Sequence, residues 1–161
     1  MFATSAGGEV TVNMASESLG FKMAVSPIID ISVGSAAPLH VILVPALDRP
    51  FVVGKAIISY VATCAAGLGA GTVDIGHSDG TTTDRDSVVD AYATGDVAAV
   101  TEYMSAIMPF ATTLRGTTFQ TGGLPVVPAG SALTLDITLS AGANTGDFQV
   151  IVFWYPLEPG Q

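Results

Sequence analysis

Three observations predict an all-β fold, an antiparallel two-sheet sandwich of jelly-roll type. Val, Ile, Phe, Tyr and Thr dominate a series of short runs, the composition of strands rather than helices. Turn-forming Gly, Pro, Asn and Asp separate these runs at sandwich-like intervals, which gives about eight strands. One run, "ALTLDITLS" at 132–140, alternates Leu133, Leu135, Ile137 and Leu139 with Thr134, Asp136 and Thr138, so one face is apolar and the other turns toward solvent.

The elements follow in order. Residues 1–19 are small and polar, and only "EVTVN" at 9–13 alternates; they read as an N-terminal arm that orders against a neighbour. Residues 20–161 read as a single domain, because neither an internal repeat nor a second core divides them. The first β-rich runs are "FKMAVSPIIDISV" at 21–33, "LHVILV" at 39–44 and "FVVGKAIISYVATC" at 51–64. Pro27, Pro38, Pro45 and Pro50 punctuate them, each removing an amide donor and limiting how far a central strand continues. Gly67, Gly69 and Gly71 supply a turn before "TVDIG" at 72–76, with no third glycine at the position a nucleotide-binding loop requires after Gly67-x-Gly69 and no helix former following. In "VAAVTEYMSAIM" the apolar residues at 97, 100, 104 and 107 predict a short helix over 97–108, with Asp96 as its N-cap and Pro109 as its stop. Its β-branched content keeps a strand pair open as the alternative. The chain closes with "DFQVIVFWYP" at 147–156, apolar on both faces, as expected of a strand covered on one side by a sheet and on the other by a neighbour.

The 14 acidic and 5 basic residues give a formal charge of −9. The five cations, Lys22, Lys55, Arg49, Arg85 and Arg115, stand singly, so no basic stripe is present to neutralise phosphates or an anionic bilayer; direct nucleic-acid and membrane partners are not expected. Charged residues are only 12% of the chain, about half the usual share, and 49% is hydrophobic. So few charges cover little surface, which predicts that part of it is buried in a stable oligomer or against a permanent partner. Cys64 is the single cysteine, so it offers neither an internal disulfide nor a thiolate zinc site and reads as a small buried hydrophobe. The first ten residues lack the basic and apolar regions of a signal peptide.

Three features invite a chemical reading. "GHSDG" at 76–80 matches G-x-S-x-G, the elbow that presents a nucleophilic serine after a strand. The chain's two histidines are His40 and His77, and neither follows Ser78; His77 and Asp79 are its immediate neighbours and point away from it, so the pentapeptide reads as a polar hairpin turn. Asp74, Asp79, Asp84, Asp86, Asp90 and Asp96 concentrate oxygen donors of the kind that hold Ca²⁺, but without EF-hand spacing they read as a solvated loop with Asx turns and caps. Phe153, Trp154 and Tyr155 are consecutive, so they face alternate sides rather than forming one sugar-binding platform.

The run "FVVGKAIISYVATCAAGLGAGTVDIGHSDGTTTDRDSVVDAY" and the closing "GDFQVIVFWYP" resemble the small jelly-roll decoration, or cement, proteins of tailed-bacteriophage capsids. That resemblance implies a viral structural protein on the capsid exterior of a virion, a homotrimer bound to the major capsid protein that stabilises the shell. It carries no catalytic, cofactor-binding or metal-ligating residue over to this chain, and no enzyme activity or cofactor is expected. The alternative is a Ca-dependent or carbohydrate-binding jelly-roll module.

Overall fold

The computed structural model describes residues 20–30, 39–61, 71–93, 105–111, 118–119, 123–138 and 146–158. The arm at 1–19 and Cys64 lie outside them. Among the described residues the chain is all-β, with eleven strands: β1 (Lys22–Val25), β2 (Ile29–Asp30), β3 (Leu39–Val44), β4 (Phe51–Tyr60), β5 (Thr72–Ser78), β6 (Thr83–Ala93), β7 (Ser105–Met108), β8 (Thr118–Phe119), β9 (Pro125–Val127), β10 (Ala132–Thr138) and β11 (Asp147–Pro156). They form two antiparallel sheets packed as a sandwich. The seven-stranded sheet runs β1, β11, β4, β9, β8, with β2 also on β11 and β7 also on β4; the four-stranded sheet runs β3, β10, β5, β6.

Period-two alternation builds the core between the sheets. Phe148, Val150, Val152 and Trp154 of β11 point inward beside Phe51, Val53, Ala56 and Ile58 of β4. Leu133, Leu135 and Ile137 of β10, with Val73 and Ile75 of β5, meet them from the opposite sheet. The β4 sequence does not alternate throughout because it bulges: Trp154 faces Val53 while Phe153 faces Lys55, leaving Gly54 as the extra residue. The bulge changes the phase, so that odd positions 51 and 53 point inward before it and even positions 56, 58 and 60 after it.

One expectation changes and one is met. Residues 105–108 are not the end of a helix; they form strand β7, in which Ala106 and Met108 turn to the core and pair beside Ile58 and Ala56. Tertiary pairing along β4 outweighs the local helical rhythm, and residues 97–104 lie outside the described residues. The run 21–33 is also interrupted, because Pro27 has no amide to give. Ser26 holds the break to β11: its amide donates to the Val150 carbonyl at 2.9 Å, and the Val150 amide donates to Ser26 Oγ at 2.9 Å.

The β5–β6 hairpin is irregular in a way that shapes the outer face of the smaller sheet. Ile75 faces Val89 and His77 faces Asp84, so one residue of β5 opposes four of β6. The surplus β6 backbone passes directly over Gly76. A side chain there would run into the carbonyl of Asp84 and the backbone of Arg85, whose Cα lies 2.7 Å from the position a Cβ would take. Only glycine permits this approach. A second bulge sets Asp90 and Ala91 against Asp74 and holds Ala91 at a left-handed φ of 47°. Gly76→Ala should therefore destabilise the fold by about 3 kcal/mol or more in chemical denaturation. A loss below about 0.5 kcal/mol, the range of ordinary surface substitutions, would show that β6 does not lie against Gly76.

Candidate functional site

The outer face of the four-stranded sheet gathers the polar chemistry. On β10, Thr134 and Asp136 alternate with the inward leucines, and the register brings Ile42 and His40 of β3 beside them on one side, Gly76 and Asp74 of β5 on the other. A groove of about 330 Å³ opens at one end of this face, lined by His40, Ile42 and Pro45, by Ser78 and Asp79, and by Thr134.

Asp136 was expected to face solvent, and it is instead 3% exposed. The His40 Nδ1–H donates to Asp136 Oδ1 at 3.0 Å, and Arg85 Nε stands 3.9 Å from the same oxygen. His40 on the neighbouring strand β3 and Arg85 on β6, whose surplus backbone passes over β5, cover a carboxylate that strand alternation alone leaves in water. Among the described residues Asp136 Oδ2 and Thr134 Oγ1 are buried with no hydrogen-bond partner. A sequence signal existed, a histidine inside an apolar strand and an aspartate in an alternating one. Only the register shows that they meet.

The His40–Asp136 pair and Ser78 border one groove, which reopens the nucleophile question on geometric grounds. Ser78 is paired with Ala132 and His40 with Asp136, four residues apart along β10 and on opposite sides of it. Standard strand dimensions put their Cα atoms about 16 Å apart. The two side chains together do not span that distance to a hydrogen bond, so His40 is no base for Ser78.

"GHSDG" ends β5 and enters a tight hairpin turn. Ser78 Oγ shares a hydrogen bond with Thr83 Oγ1 at 3.0 Å and accepts from the Gly80 amide at 3.2 Å. Asp79 Oδ1 accepts from the amides of Thr81 and Thr82 at 2.7 and 2.6 Å, closing the turn as Asp does in Asx turns. Those amides, Thr82 first, hold the Asp79 carboxyl below its usual range. Gly80 takes the left-handed φ of 85°. His77 faces inward, 9% exposed, with Nδ1 bonded to Ser87 Oγ at 2.9 Å.

The acidic segment is dispersed. Asp74 Oδ1 accepts the amide of the strained Ala91 at 2.7 Å, Asp79 closes the turn, and Asp84 stands beside Asp86. Burial raises the Asp84 carboxyl, and Asp86 adds to the effect. Among the described residues no group of three or more His, Cys, Asp or Glu side chains converges to hold a metal ion; Asp96 lies outside them. Of the three terminal aromatics, Trp154 points into the core, while Phe153 and Tyr155 share the outer face of the larger sheet, where Tyr155 meets Phe21 edge-on at 5.4 Å.

These elements define an antiparallel β-sandwich with a polar, grooved face on one sheet. No protein-family model matches the chain, and neither does any curated protein or solved structure.

Two substitutions check this account. Burial pushes the Asp74 carboxyl above the ordinary range, with Asp90 and Asp86 acting in the same direction against the Ala91 amide and the Thr72 hydroxyl. The folded chain therefore holds this proton more tightly than the unfolded one. Asp74's contribution to stability is full below about pH 4 and is lost as pH rises through its folded value. Asp74→Asn keeps an oxygen for Ala91 and removes the titration, so its melting temperature relative to the native chain should rise between about pH 4 and pH 7. A constant or falling difference would contradict the assignment. Thr134→Val conserves shape and removes an unpartnered buried hydroxyl; its unfolding free energy should be unchanged or higher by about 1 kcal/mol, and a loss of about 1 kcal/mol or more would mean that the hydroxyl is bonded.

Proposed function

We propose that this chain is a virion structural protein that seats as an oligomer on the exterior of a tailed-phage capsid and stabilises the shell through the major capsid protein. The observation that carries this reading is the exposed apolar surface of the seven-stranded sheet. Met23 of β1 and Ile107 of β7 are each more than half exposed, at 60% and 63%, and Phe21 and Val25 are 43% and 45% exposed. A sheet face of this kind marks an interaction surface, in line with the low share of charge in the whole chain.

The strand order supports the jelly-roll part of the reading. Among the described residues the first and last strands, β1 and β11, are neighbours, and successive strands lie in different sheets at six places: β2 and β3, β3 and β4, β4 and β5, β6 and β7, β9 and β10, and β10 and β11. Such crossings are what two interleaved Greek keys require. The negative charge suits a position outside the shell, away from packaged DNA. A homotrimer is the assembly the family resemblance implies.

The test is addition of purified chain to phage heads assembled without it. Regular added density on the outer surface by electron cryomicroscopy, together with a higher melting temperature of the heads, is the expected outcome. Bare heads with unchanged melting would refute it. The groove beside His40 and Thr134 favours a second reading, a carbohydrate-binding module, since its volume is that of a small-ligand site. That reading requires a glycan to raise the melting temperature of the free chain, and the same glycan to lose its effect in His40→Ala, which removes a side chain that lines the groove.

A further inference from the structure

The groove on the four-stranded sheet is built around a hydroxyl that lacks a partner. Thr134 lines it, placed by register between Ile42 of β3 and Gly76 of β5. Thr134 is 1% exposed, and among the described residues its Oγ1 has no hydrogen-bond partner. Such a hydroxyl gives up no bond when it turns to a ligand, and pairing it offsets part of the cost of its burial. Two residues further along the same face of β10, about 7 Å away, Asp136 holds a second buried oxygen, Oδ2, without a partner. Folded chains satisfy buried polar atoms as a rule, so two orphans beside one groove point to a group that brings hydrogens with it.

The groove wall selects the kind of group. His40 donates its Nδ1–H to Asp136, so its Nε2 carries a lone pair and accepts. Asp79 uses Oδ1 on the amides of Thr81 and Thr82, which leaves Oδ2 of this exposed residue as a further acceptor. Donors are scarce by comparison. The Gly80 amide goes to Ser78 Oγ, the Gly130 amide goes to the Leu47 carbonyl, and Pro45 has none. Among the described residues no Lys or Arg lines the groove, while Asp136 and Asp74 stand opposite each other on the same face in a chain of net charge −9. Acceptors with a surplus of negative charge suit a cation that only donates, and they repel an anion. Ile42, Pro45 and Ala46 add an aliphatic wall, and Ile42 is 60% exposed beside the groove. The span of about 16 Å between the Cα atoms of His40 and Ser78 leaves room for a stem of several methylenes.

We infer that this groove binds a primary alkylammonium, its nitrogen donating to Thr134 Oγ1 and His40 Nε2 above the buried charge of Asp136, its methylene stem lying along Ile42 and Pro45 toward Asp79. A free aliphatic polyamine and the lysine side chain of a partner share this chemistry. Ammonium binding goes beyond the capsid reading, which leaves the groove unused. The glycan of the second reading is the competing occupant.

Isothermal titration calorimetry of the purified full chain, with amide chemical shifts around Thr134 followed by NMR, tests this without any shell, so its failure is separable from that of the capsid reading. The diamine cadaverine should bind, more weakly as salt is added, and a pentanediol of the same length without charge should not. Thr134→Val keeps the side-chain shape and should raise the dissociation constant about tenfold. Asp79→Asn keeps an oxygen for the turn amides and should raise it about threefold. Asp30→Asn makes the same charge change on the seven-stranded sheet and should leave it unaltered. An Nα-acetyl-lysine methylamide separates the two sources: tighter binding than cadaverine assigns a partner's lysine, and weaker binding assigns a free polyamine. Absence of heat and shifts with both amines overturns the inference, whether or not a glycan binds in their place. So does equal binding of the diol, or a dissociation constant unchanged in both Thr134→Val and Asp79→Asn.

Discussion

The ladder between β4 and β11 is the constraint on which the rest of the molecule depends. It is the longest pairing in the seven-stranded sheet, running from Phe51 against Pro156 to Tyr60 against Phe148. Its inward row supplies Phe148, Val150, Val152 and Trp154 to the core, and its outward row supplies Ile151, Phe153 and Ile57 to the exposed face. Gly54 makes both rows possible at once. Without the extra residue, the phase that buries Phe51 and Val53 would turn Ala56 and Ile58 outward and put Lys55 and Ile57 into the core. The bulge also leaves Gly54 beneath the ring of Phe21, which fixes one wall of the hollow on that face.

The four-stranded sheet solves a different problem. Its inward face carries Leu133, Leu135, Ile137, Val73 and Ile75, all fully buried, with the bonded pair His77 and Ser87 beside them. Its outward face carries polar groups that its own strands partly enclose. The surplus of β6 over Gly76 and the reach of His40 from β3 draw Asp136 out of water, and the contacts of His40 and Arg85 with one of its oxygens oppose the desolvation cost. The same irregular hairpin places Asp74 on the amide of Ala91, where the carboxylate stabilises a left-handed residue.

The two outer faces therefore differ in kind, one aliphatic with charges only at its ends, the other polar and rich in carboxylates. The residue types for acyl transfer are present, but Ser78 closes a turn, His77 faces the core and His40 is committed to Asp136 at the far side of β10. Chemistry needs those groups within a hydrogen bond of one another, and the register keeps them apart.

Fold class was legible in the sequence because strand composition, alternation and turn residues are local properties, and "ALTLDITLS" already assigned Leu133, Leu135 and Ile137 to the core. The turn at "GHSDG" was legible for the same reason, since Asp79 and Gly80 close it with atoms only two or three residues apart. The assignment of 97–108 as a helix missed at 105–108, because local rhythm does not register a neighbouring strand such as β4. The burial of Asp136, the need for glycine at 76 and the alignment of Val25, Ile151, Ile57 and Ile107 were decided only by tertiary structure. Each joins residues far apart in the chain through pairing register, and a shift of one residue in register exchanges the two faces of a strand.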